Sequence, residues 1–180
     1  MVNFITAVLL ILFAAFSRIA PHPMNFAPIA AIALFSGAYL GKKYALIVPI
    51  AAMLLSDIFI GFYSGIEWVY GSFILIVFVG FWLKKRFEGA GAGKKTAYIA
   101  GTTLVSSILF FIITNFGVWT SGMMYEMSFK GLIQCYVMAI PFFRNTLASD
   151  LIYAGVMFVV YEMITRYVKS PQLQSSKVRK

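Results

Sequence analysis

Six acidic residues occur in the sequence, and three of them, Asp57, Asp150 and Glu162, stand inside long apolar runs. An ionisable group in such a place is costly to bury and is a functional candidate for that reason. Asp57 lies in Leu54-Leu55-Ser56-Asp57-Ile58-Phe59, with Arg18 and Arg144 as available partners. Its carboxylate either serves a ligand or fixes helix packing through one of those arginines. Asp150 follows Pro141-Phe142-Phe143-Arg144-Asn145-Thr146, which reads as the start of a helix carrying an arginine. Amide ends of helices and guanidinium groups suit an anion; the same residues also suit an N-cap and an internal ion pair. Asn115, Trp119 and Tyr125 offer hydrogen bonds and ring faces to a planar ligand. They would serve equally as an aromatic belt at a membrane interface. Glu162 sits deep in the last apolar run and reads as a helix-packing or partner-contact residue.

These groups must be positioned by what surrounds the stretch Pro21-His22-Pro23-Met24-Asn25-Phe26-Ala27-Pro28. Three prolines within eight residues cannot form a regular helix, because each fixes φ and removes an amide donor. Unpaired backbone survives at membrane depth only against protein or around a cavity. The stretch is therefore read as a pocket edge or lid, with Asn25 as its ligand-facing residue. His22 is the only histidine, so a histidine metal site is not expected. One cysteine, Cys135, excludes an intramolecular disulfide and reads as a small packing residue.

The medium is set by composition. Of 180 residues, 61% are hydrophobic and 12% charged, with a mean hydropathy of +0.87. That excludes an ordinary soluble domain and indicates a small polytopic membrane protein. Apolar stretches fall at about 4–17, 26–40, 44–62, 68–83, 96–119, 131–143 and 145–167. A bilayer core of about 30 Å asks for roughly 20 helical residues. The stretch 131–143 carries Gln134 and ends at Pro141, so it reads as a short interfacial helix before the last span. Residues 4–16 read as a retained helix and not a cleaved signal.

Charge supports that choice. The net charge is +9, but nucleic acid is not the expected partner, because the basic residues gather in short connections and at the C-terminus. With six spans, twelve of the fifteen lysines and arginines share one side with both termini, and Arg18, Lys130 and Arg144 take the other. The positive-inside rule then makes the termini cytoplasmic. The expected architecture is an all-α membrane protein: one six-helix domain over 1–168 and a disordered basic cytoplasmic tail over 169–180. The run Glu88-Gly89-Ala90-Gly91-Ala92-Gly93 lacks the spacing of a nucleotide loop and reads as a flexible linker. Ala33, Gly37 and Gly41 form a small-residue ladder, for internal packing or for a partner.

A resemblance joins these pieces. Arg18-Ile19-Ala20-Pro21-His22-Pro23-Met24-Asn25-Phe26-Ala27-Pro28 together with Leu55-Ser56-Asp57, Asn115-Phe116-Gly117-Val118-Trp119 and Pro141-Phe142-Phe143-Arg144-Asn145-Thr146 resembles the signatures of an uncharacterised bacterial family of transport proteins. That family is similar in size and topology to the S components of energy-coupling factor (ECF) transporters. The resemblance implies a six-helix bundle in the bacterial inner membrane that captures a vitamin or similar micronutrient at its outer face. It also implies a separate scaffold subunit and ATPases. The first helix lacks the alanine ladder that serves many S components in docking, and the ladder on the second helix offers a substitute.

The expected binding residues are Asn25, Asp57, Asn115, Trp119, Arg144, Asn145 and Asp150. No catalytic residue, cofactor or metal is expected. The alternatives are a structural or assembly subunit of a membrane complex, and an intramembrane enzyme using His22, Asp57 and Asp150 as acid and base.

Overall fold

The computed structural model describes residues 2–178, with side chains over 4–165, and is all-helical over that range. Its elements are α1 (Val2–Ile19), α2 (Ile29–Tyr39), α3 (Lys42–Ile60), α4 (Ile66–Phe87), α5 (Ala92–Thr120) and α6 (Phe129–Val178). The expected tail over 169–180 lies outside the described side chains.

Four helices are long and apolar enough to cross a membrane: Lys42–Ile60, Ile66–Phe87, Ala92–Thr120 and Phe129–Thr165. The chain is thus a multi-pass membrane protein. The other two apolar helices are shorter, Phe4–Ile19 and Ile29–Tyr39.

Helix α2 organises the bundle. It is apolar on all sides, and a helix of that kind must be enclosed. Every residue from Ile29 to Ala38 is buried, and α2 touches each of the other five helices. Its eleven residues rise only about 16 Å. The prolines of 21–28 explain this: Pro28 stands at the N-cap, and no regular helix can precede it. Upstream, the Phe26 amide bonds the Pro23 carbonyl at 3.0 Å. Asn25 in this turn has φ +59, a left-handed conformation that asparagine tolerates better than most residues.

Close packing of α2 on α4 depends on Gly37 and Gly80. A Cβ on Gly37 would meet the carbonyl oxygen of Val77, and one on Gly80 would meet that of Leu34. Small residues at a helix crossing let backbones approach in this way. Of the small-residue ladder, Ala33 and Gly37 are enclosed and serve internal packing, whereas Gly41, at the N-cap of α3, is exposed.

One expectation is corrected. The stretch 131–143 is not a separate interfacial helix, because α6 runs unbroken from Phe129 through Pro141. Proline is tolerated inside such a helix where neighbouring side chains and backbone make good the lost bond. The glycine-rich connection is short. Only 88–91 separate α4 from α5, and the Ala90 amide closes a turn onto the Phe87 carbonyl at 3.2 Å, with Gly89 at φ +71. Basic residues Lys42, Lys43, Lys84, Lys85, Arg86, Lys94 and Lys95 all fall at this end of the bundle.

Candidate functional site

The opposite end holds the C-termini of α1, α3 and α5, the N-termini of α2, α4 and α6, and the proline stretch. Because α2 begins late, the bundle is not filled there. A cavity of about 530 Å³ occupies the space, a volume within the usual range for small-molecule sites.

Arg18, in the last turn of α1, stands on its wall. The Arg18 guanidinium donates from Nη1 to Asp57 Oδ1 at 2.7 Å and to Ser56 Oγ, with the Met53 carbonyl at 3.4 Å. Tyr70 Oη donates to the second carboxylate oxygen of Asp57 at 2.7 Å. Asp57 is fully buried, so its charge would be costly without these partners. The network ties α1, α3 and α4 together behind the cavity.

Asp150 is also buried, and it lines the cavity. Its Oδ2 accepts from Ser107 Oγ at 2.7 Å, and the carboxylate accepts from the Ala31 amide. The first amides of a helix have no intrahelical acceptor. Asp150 therefore caps α2 from a neighbouring helix, a role that α2, beginning at a proline, cannot fill itself. Two further side chains of α6 hold the preceding loop: Asn145 Nδ2 donates to the Met24 carbonyl at 3.0 Å, and Ser149 Oγ to the Ala27 carbonyl at 3.1 Å. His22 stands against two carbonyls, with Nδ1 2.8 Å from the Pro23 oxygen and Nε2 3.3 Å from that of Arg18.

Helices α5 and α6 supply the rest of the wall. Phe111, Thr114, Asn115 and Val118 recur at helical spacing on α5, as do Ala139, Phe142, Phe143, Thr146 and Asp150 on α6. Phe111 joins the two faces, its ring centroid 4.9 Å from Phe143 and 5.6 Å from Tyr136.

The expected binding residues thus separate into two groups. Asn25, Asn115 and Asp150 stand on the cavity wall; Asp57, Trp119, Arg144 and Asn145 do not. Asp57 is held behind Arg18. Trp119 Nε1 donates to the Glu126 carbonyl at 3.0 Å, which ties the connection 121–128 to α5. Arg144 is exposed, and Asn145 clamps the proline stretch. Tyr63, Thr114, Thr146 and five phenylalanines (Phe73, Phe110, Phe111, Phe142 and Phe143) also line the cavity and are not among the residues that the sequence reading selects. The phenylalanine pairs Phe110-Phe111 and Phe142-Phe143, each one turn before a threonine, were the available signal.

Cys135 is buried and its Sγ stands 3.3 Å from the Asn115 carbonyl, as a packing residue would. Among the described residues no three histidine, cysteine, aspartate or glutamate side chains gather to hold a metal. At the basic end, Glu162 Oε1 lies 3.4 Å from both Tyr39 Oη and Lys95 Nζ.

Fold and site together define a multi-pass helical membrane protein with an aromatic and polar cavity at one end of its bundle. The chain belongs to the Family of unknown function (DUF6580), whose model matches residues 1–173. No curated protein and no solved structure matches it.

Proposed function

We propose that this protein is a substrate-binding integral membrane transport protein, resembling an S component, that takes up a vitamin or similar small micronutrient. One observation carries the reading: the cavity lies at the Arg18 end of the bundle, opposite the end where basic residues gather. By the positive-inside rule the basic end is cytoplasmic. The cavity then opens outward from a bacterial inner membrane, with both termini inside. In this layout α1 and the short α2 complete six spans, α2 reaching the outer face through the proline stretch.

The chain acts by binding and not by catalysis. Arg18 and Asp57 keep the cavity in shape, while Asn25, Asn115 and Asp150 contact the ligand. No ATP-binding motif occurs in the sequence, so coupling energy comes from a separate scaffold subunit and its ATPases.

Thermal unfolding of the purified protein against a panel of vitamins and related metabolites tests this. At least one compound should raise the midpoint in proportion to its occupancy. A flat response across the panel, together with recovery of a stable complex that contains no small molecule, would favour an assembly subunit instead.

A further inference from the structure

The basic end of the bundle carries more cations than it pairs. Lys42 and Lys43 open α3, Lys84, Lys85 and Arg86 close α4, and Lys94 and Lys95 stand in the first turn of α5. Among the described residues only Lys95 of these is in an ion pair, with Glu162 at 3.4 Å. Those two groups line a smaller cavity of about 250 Å³ between α5 and α6, where the lysine is already matched.

The face between α4 and α5 is different. The turn over 88–91 brings the end of α4 against the start of α5. The Arg86 guanidinium carbon stands 4.8 Å from the centroid of the Trp82 ring, one turn back on α4. Trp82 in turn meets Tyr98 edge to face, with centroids 6.5 Å apart. Lys94 lies one turn before Tyr98 on α5, so Arg86 and Lys94 flank the same pair of rings. Both are exposed. Stacking holds the plane of the guanidinium and leaves its N–H edge open. Tryptophan and tyrosine rings sit at the headgroup level of a bilayer. Two cations one turn beyond such rings stand where lipid phosphates lie.

Deeper in the bilayer the same face is apolar. Leu75 and Phe78 continue the line of Trp82 and Arg86 on α4, and Gly101 and Val105 continue that of Lys94 and Tyr98 on α5, at spacings of three and four residues. All four are exposed or, for Gly101, bare: a Cβ on Gly101 would meet nothing within 4 Å. The missing side chain leaves room for an acyl chain between its larger neighbours.

We propose that this face holds one anionic phospholipid, with its phosphate between Arg86 and Lys94 and an acyl chain over Gly101. Basic residues at the inner ends of membrane helices attract anionic headgroups, and a planar guanidinium meets a phosphate with two parallel hydrogen bonds.

Native mass spectrometry of the intact protein in detergent tests this, with equal amounts of dioleoyl phosphatidylglycerol, which is anionic, and dioleoyl phosphatidylcholine, which has no net charge. The wild type should retain the anionic lipid in preference by about tenfold, the effect of one charge-assisted pair. Arg86→Gln combined with Lys94→Gln should abolish that preference. Lys42→Gln combined with Lys43→Gln makes the same change of charge at the same end of the bundle, on α3, and should leave it intact. Equal retention of the two lipids by the wild type would overturn the proposal. So would an equal loss of preference in both double variants, which would mean attraction to the charge of the whole end and not to a site. Either result leaves the outward cavity and its proposed ligand untouched.

Discussion

Two aspartates lie near the Arg18 end of the bundle, both shut away from solvent, and they are held in opposite ways. Asp57 has an arginine on one oxygen and a tyrosine hydroxyl on the other. Asp150 has only neutral donors, a contested serine proton and the Ala31 amide. A buried charge that the protein compensates fully is architecture: it ties α1 and α4 to α3 and has nothing left for a ligand. A buried carboxyl group met only by dipoles still has capacity, and Asp150 is the one on the cavity wall. Position in an apolar run identified both residues; only their partners tell them apart.

The largest effect that would sharpen this contrast comes from Arg18→Met. It strands the Asp57 charge, and loss of one partner of a buried pair costs about 3–5 kcal/mol. Chemical or thermal unfolding in detergent should show it, and Arg18→Met combined with Asp57→Leu should recover much of the loss, since an apolar replacement removes the stranded charge. A cost for Arg18→Met no greater than that of an exposed pair would break the comparison.

Next comes the helix that Asp150 caps. Gly80→Ala drives a methyl group into the Leu34 carbonyl of α2 and should cost about 1–3 kcal/mol through overpacking, read by the same unfolding assay. Neutral behaviour would mean that α2 is not seated against α4 as described.

Asp150→Asn should be milder, about 1 kcal/mol, because an amide oxygen still accepts from Ala31 and Ser107. A loss as large as that of Arg18→Met would mean that Asp150 is as much a structural charge as Asp57. The smallest effect belongs to Trp119→Phe, which removes one hydrogen bond from an exposed connection, about 0.5–1 kcal/mol. Proteolysis within 121–128 should quicken while ligand binding stays unchanged.

Much of the frame was legible in the sequence. The apolar lengths of 44–62, 68–83, 96–119 and 145–167 correspond to the four long helices, and the prolines of 21–28 announced a short second helix. The stretch 131–143 reads as a separate helix because Pro141 would end a helix exposed to water; within this bundle α6 continues through it. The pairing of Asp57 was visible only as a choice between Arg18 and Arg144, since nothing in one dimension says which arginine arrives. The phenylalanine wall was hidden for a different reason. In a membrane helix the lipid-facing and inward-facing positions are both apolar, so the periodicity that marks a buried face in a soluble protein has no contrast.

The central claim is that the cavity at the Arg18 end receives a small molecule. Native mass spectrometry of wild-type protein and a Thr146→Trp variant, each incubated with the same vitamin and metabolite panel, tests it most directly. Thr146 lines the cavity, and an indole at that position fills part of it. The account predicts a bound small molecule on the wild type that the folded variant lacks. Equal adducts on both proteins, or a bare wild type across the whole panel, would contradict it.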